Sequence, residues 1–160
     1  MTAEAIEPGL WSAGEPEYAS QFQAPEHEVL VGRKHDGDET GKTYYRTARV
    51  HQGDGVYLTT ANVRRSAPVK ESAGVRFVAP AGTVLVGRTH SGDENGSTTY
   101  YYADVIDQSG NKVDVVHGTW SSSVKEYNSS YEAPANQVLV GRWHDNDETG
   151  PTQYLTATLY

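Results

Sequence analysis

The sequence predicts one all-β domain, residues 1–160, built from three internal repeats closed with pseudo-threefold symmetry, in a β-prism-like arrangement with the β-trefoil as the alternative. Three observations carry this. One motif of about 54 residues recurs, as APEHEVLVGRKHDGDETGKTYYRTARV from Ala24, APAGTVLVGRTHSGDENGSTTYYYADV from Ala79 and APANQVLVGRWHDNDETGPTQYLTATL from Ala133, at offsets of 55 and 54 residues. Its apolar segments are short and β-branched, or alternate with period two, as strands do. A strand missing from the end of the third copy has its counterpart at the start of the chain.

Taken in order, the first element is that N-terminal strand. Gly9-Leu10-Trp11-Ser12 matches Gly118-Thr119-Trp120-Ser121, and each Trp stands 13 residues before the next Ala-Pro. The repeats therefore span about 12–65, 66–120 and 121–160, the last completed by residues 1–11. Such an offset repeat makes sense when the first and last segments pair, because ring closure leaves no open sheet edge. Trp11 and Trp120 are expected to pack at a strand end, where the first copy has Arg64 or Arg65.

Within each copy the run around Val29 to Arg33, Val84 to Arg88 and Val138 to Arg142 is too short for a helix and forms the next strand. A joint follows, HDGDETG, HSGDENG or HDNDETG, dense in Gly, Asp and Asn as tight loops are. The strand after it alternates. Ala48 and Val50, Ala103 and Val105, and Ala157 and Leu159 share one face, while Thr43, Tyr45 and Thr47, with counterparts Thr98, Tyr100 and Tyr102, share the other. A third strand is expected over Gly55 to Arg64 and again over Lys112 to Trp120.

Composition narrows the function classes. There is no cysteine, so disulfides and thiolate metal sites are excluded, and no apolar stretch is long enough for a membrane span. The net charge of −8 disfavours nucleic acid and anionic lipid, which need a concentrated positive field. Eleven tyrosines and three tryptophans against two phenylalanines give aromatics with a polar handle, suited to a binding face. The start MTAEAIEPGLWSAG lacks the basic and apolar regions of a secretory signal, so a cytoplasmic or non-classically released protein is expected.

The chemistry is expected in the loop. Arg33, His35, Asp38 and Glu39 recur as Arg88, His90, Asp93 and Glu94 and as Arg142, His144, Asp147 and Glu148, although a solvated turn requires only Gly and small polar residues. Carboxylate, imidazole and guanidinium together suit the hydroxyls of a sugar through paired hydrogen bonds and stacking. Trp143 stands where the other copies have Lys34 and Thr89, and would add stacking at one of three sites. The competing structural reading is that Arg and acid pair with each other and freeze the turn. Calcium is the alternative ligand, since Asp36 with Asp38 and Asp145 with Asp147 place alternate oxygen donors; Ser91 interrupts this in the second copy, and no loop has the full EF-hand length. No other cofactor is expected. Three histidines, one per copy, would make a zinc site only by meeting at the threefold axis.

The string VGRKHDGDETGKT resembles the signature of DM9 repeats, found in natterin-like proteins and in invertebrate mannose-binding lectins. The resemblance covers about 13 residues per copy and implies a β-rich lectin whose mannose contacts fall on Asp38 and Lys42; the other copies have Ser97 and Pro151 at the Lys position. The expected function is a multivalent lectin, one site per repeat, with glycans or glycoproteins as partners. An enzyme is not expected, because glycoside hydrolysis needs a paired acid and nucleophile that no single copy sets apart. The alternative is a protein-interaction or inhibitor domain on a threefold β scaffold, or the targeting domain of a toxin.

Overall fold

A computed structural model describes residues 5–37, 41–51, 56–70, 73–92, 96–125, 128–145 and 150–160. Among them every regular element is a β-strand: β1 (Ala5–Trp11), β2 (Glu15–Pro16), β3 (Ala19–Gln23), β4 (Glu28–Asp36), β5 (Lys42–His51), β6 (Thr59–Arg65), β7 (Val69–Lys70), β8 (Ala73–Val78), β9 (Thr83–Ser91), β10 (Ser97–Ile106), β11 (Val115–Trp120), β12 (Val124–Lys125), β13 (Asn128–Glu132), β14 (Val138–Asp145) and β15 (Pro151–Leu159). No helix of the described residues is long and apolar enough to cross a membrane.

These strands make three similar curled sheets, consistent with a threefold arrangement. The first has the order β1-β5-β4-β13 with β2 also on β5; the second is β6-β10-β9-β3 with β7 on β10; the third is β11-β15-β14-β8 with β12 on β15. Each is centred on the hairpin of one repeat, β4–β5, β9–β10 or β14–β15, and all pairings are antiparallel.

The third strand of a repeat leaves its own hairpin and pairs with the next one: β6 with β10, and β11 with β15. The N-terminal β1 does the same on β5, taking the place that a strand after β15 would fill. Strands β3, β8 and β13 cross similarly, onto β9, β14 and β4. Each sheet is thus assembled from distant parts of the chain.

Each hairpin carries a β-bulge. Leu30 opposes Thr47 and Gly32 opposes Arg46, so Val31 is the extra residue; Val86 and Val140 are its equivalents. A bulge inverts the side-chain alternation beyond it. Val29 and Val31 therefore join the valine-rich core with Ala48, Val50 and their counterparts, while Leu30 and Arg33 both reach a second, central cluster. That cluster holds Leu30, Leu85 and Leu139 with Tyr45, Tyr100 and Tyr154. The face of β5 bearing Thr43, Tyr45 and Thr47 is buried too.

Sheets are tied across by stacked rings. Phe22 on β3 stacks on Tyr45 at 4.6 Å, Phe77 on β8 on Tyr100 at 4.3 Å, and Tyr131 on β13 on Tyr154 at 4.5 Å. Each pair joins two different sheets in cyclic order. Burial, and the neighbouring Tyr154 phenol, raise the pKa of the Tyr131 hydroxyl above its ordinary value.

Candidate functional site

The loop residues predicted from sequence divide by depth. Past the bulge, Arg33 and His35 alternate with exposed or half-exposed neighbours and point inward, as do Arg88 and His90, and Arg142 and His144. All six are buried, the arginines at 1–3% exposure. The three guanidinium-bearing side chains converge, lining one small central cavity with the three leucines and three tyrosines of the second core cluster.

A buried charge needs a partner or its desolvation is uncompensated. Glu17, between β2 and β3, supplies one: Oε1 lies 2.7 Å from Nη1 of Arg88, and Oε2 lies 3.3 Å from Nη2 of Arg33. The phenol oxygens of the neighbouring sheets accept as well, Tyr45 from Arg88 at 3.0 Å and Tyr154 from Arg33 at 3.3 Å. Arg142 occupies the third equivalent position on the same cavity.

Each histidine sits one step nearer the loop and pairs with the threonine directly opposite. The Nδ1 to Oγ1 distance is 2.7 Å for His35 and Thr43, for His90 and Thr98, and for His144 and Thr152. A carbonyl only accepts, so His90 Nε2 carries the proton it donates to Gly92 O at 3.0 Å, which ties the ring to the loop backbone. In the first sheet the Thr43 hydroxyl donates to Glu17, so its oxygen receives the Nδ1 proton of His35. The His–Thr pair thus joins the two hairpin strands just below the loop in every sheet, reaching the ionic centre through Thr43 in the first sheet and the loop-end backbone through His90 in the second.

The other predicted residues lie further out. Asp36, Lys42 and Asp145 are exposed at the hairpin ends. Asp38, Glu39, Asp93, Glu94, Asp147 and Glu148 lie outside the described residues, so the proposed pairs Asp36 with Asp38 and Asp145 with Asp147 are described at one member only. Among the described residues no group of three or more His, Asp or Glu is placed to hold a metal ion. Trp143 is half-buried on the outer face of the third sheet, its Nε1 donating to Gly74 O at 3.0 Å.

Sequence reasoning missed Glu17 because it lies upstream of the Ala-Pro motif. A signal was there: Glu-Pro-Glu, Val-Lys-Glu and Val-Lys-Glu end at Glu17, Glu71 and Glu126, each shortly before the aromatic Phe22, Phe77 or Tyr131. Glu71 and Glu126 lie outside the described residues. Compared with known protein families, with curated proteins and with solved structures, the chain gives no match.

Proposed function

We propose that the protein is a non-enzymatic, multivalent carbohydrate-binding protein, with one site at the loop end of each long hairpin. The observation that supports it best is the threefold His–Thr pair, 2.7 Å in every sheet, which joins the two strands at the base of each acid-bearing loop. A loop held by buried groups presents its side chains at low entropic cost, and that favours weak polar recognition. In this reading Arg33, His35 and their counterparts position the loop, and Asp38, Glu39, Lys42, Asp93, Glu94, Asp147 and Glu148 meet the ligand. The likeness of VGRKHDGDETGKT to DM9 repeats of mannose-binding lectins supports the same assignment. Three weak sites act together on a branched glycan through effective concentration. For the whole molecule we favour the β-prism-like arrangement, each sheet one face of the prism.

A glycan array run with and without EDTA, on the wild type and on the triple variant Asp38→Ala, Asp93→Ala, Asp147→Ala, tests this. The wild type is expected to retain glycans of one class, and the triple variant to lose them with its thermal transition intact. Retention by the triple variant would remove the loop assignment; no retention by the wild type would remove the lectin. Sensitivity to EDTA would assign calcium to Asp36 with Asp38 and Asp145 with Asp147.

A further inference from the structure

The three sheets share one pairing pattern, so their outer faces can be compared residue by residue. Trp11, Arg65 and Trp120 hold equivalent places beside the central hairpin strands, opposite Arg46, Tyr101 and Leu155. Lys34, Thr89 and Trp143 are likewise equivalent, opposite Tyr44, Thr99 and Gln153.

In the third sheet this surface is filled. The Arg76 guanidinium lies 4.9 Å from the Trp120 ring centre and 4.7 Å from that of Trp143, and donates to Gln153 Oε1 at 3.1 Å. In the first sheet it is filled differently. Lys34 lies over Trp11 and Tyr44, and Arg46 is paired with Glu132 at 2.8 Å.

The second sheet has Arg65 and Thr89 where the third has its two indoles, and there the surface opens into a groove of about 440 Å³ lined by Gln21, Phe22, Gln23, Arg65, Thr89 and Tyr101. Ligand sites of small molecules begin at roughly 300 Å³. Arg65 is exposed and, among the described residues, its guanidinium makes no ion pair, hydrogen bond or ring contact, unlike those of Arg46, Arg64 and Arg76. The nearby acids are committed: Glu15 accepts from the Gln21 backbone N–H at 2.9 Å, and Asp104 is held by Arg64 and Asn62.

The occupant follows from the donors. A planar guanidinium fits a carboxylate through two parallel hydrogen bonds. Two primary amides and a hydroxyl offer both donors and acceptors, as a ligand rich in hydroxyls requires. Tyr101 lines the groove as well and offers a ring for stacking on a sugar. On a chain of net charge −8 one unpaired arginine does not gather long polyanions, so the groove engages one carboxylate together with the hydroxyls beside it.

We propose that this groove binds an acidic saccharide of the uronic acid type, its carboxylate on Arg65 and its hydroxyls on Gln21, Gln23 and Thr89. The site is on the outer face of one sheet and is independent of the hairpin loops.

Calorimetric titration of the whole chain with digalacturonate and with neutral galactobiose tests it. The charged disaccharide is expected to bind at least about tenfold more tightly than the neutral one. Arg65→Ala should remove that preference, and the double change Arg65→Trp, Thr89→Trp, which copies the filled third sheet, should abolish binding. The triple loop variant Asp38→Ala, Asp93→Ala, Asp147→Ala should bind digalacturonate as the wild type does, which separates this site from the loop reading. Equal affinity for the two disaccharides, binding of neither, or wild-type binding by Arg65→Ala would overturn the proposal. Arg65 is exposed, so the single variant decides the matter even where the double variant fails to fold.

Discussion

A single oxygen atom explains the glycine in each Val-Gly-Arg triplet. A Cβ on Gly32, Gly87 or Gly141 would stand 2.9, 2.6 or 2.7 Å from the backbone carbonyl of Tyr131, Phe22 or Phe77 on the crossing strand, and that backbone has no freedom to move aside. The repeated triplet therefore records the crossing of β13, β3 and β8. Other single residues differ between copies and carry local stability. Asp104, nearly buried on β10, accepts from Asn62 Nδ2 and Arg64 Nη2, both at 3.0 Å. The Asn62 hydrogen bond holds its pKa below the ordinary 3.8 against the opposing effect of burial, with Lys112 and Arg64 adding to the depression. A depressed carboxyl contributes stability that is present above its unfolded value and lost as pH falls through the folded one. Asp104→Asn is expected to cost about 2 kcal/mol at neutral pH, as charge-assisted hydrogen bonds do. Thermal melts of both proteins should show a gap at pH 7 that closes as the pH falls below about 3.8. A gap of the same size at pH 2.5 would remove the charge from the explanation.

At the level of elements, sequence periodicity located the hairpins and missed their companions, for a physical reason. Val29, Val31, Ala48 and Val50 are buried in one apolar core and show it in their residue types. Strands β3 and β13 present mixed polar residues on half-covered faces, so ASQFQ and NSSYE carry no alternation to read. The loop arginines and histidines were legible as a recurring set but not as buried ones, because the bulge that turns them inward appears only in the pairing register. The turn after each Ala-Pro shows a further regularity. Its third residue beyond the Ala is left-handed, at φ 66° in His27, 80° in Gly82 and 62° in Asn136. His27 Nδ1 accepts from the Thr60 N–H and Asn136 Oδ1 from the Ile6 N–H, each at 3.2 Å, bracing β6 and β1. Gly82 has no side chain to do this for β11, and a Cβ there meets nothing within 4 Å. Asn tolerates the left-handed region. Gly82→Asn is therefore expected to stabilise the protein by roughly 0.5–1 kcal/mol, a net hydrogen bond. Chemical denaturation would register this as a higher midpoint at unchanged slope, and a lower midpoint would show that the brace does not transfer.

For the whole molecule, strand exchange and the buried ionic centre act on the same three sheets. Because β1, β6 and β11 each leave one hairpin for the next, no sheet can be removed without opening another. The stacked rings and the Arg–Tyr hydrogen bonds cross the same boundaries. Cooperativity of unfolding follows, since every sheet is built from strands of two repeats and is tied to its neighbours by these crossing contacts. Glu17 is the sharpest probe of it: its carboxylate joins Arg33 of the first sheet to Arg88 of the second, and its removal leaves two nearly inaccessible guanidinium groups without that countercharge. Breaking a buried ion pair costs about 3–5 kcal/mol. Glu17→Gln preserves the shape and an acceptor oxygen but not the charge, and at 2–4 °C per kcal/mol for a chain of this size it should lower the melting temperature by roughly 10 °C. In scanning calorimetry the transition should stay single, with calorimetric and van't Hoff enthalpies equal, because the interlocked sheets unfold together. A second transition in the variant, with one sheet melting ahead of the others, would show that the exchanged strands do not couple the three units.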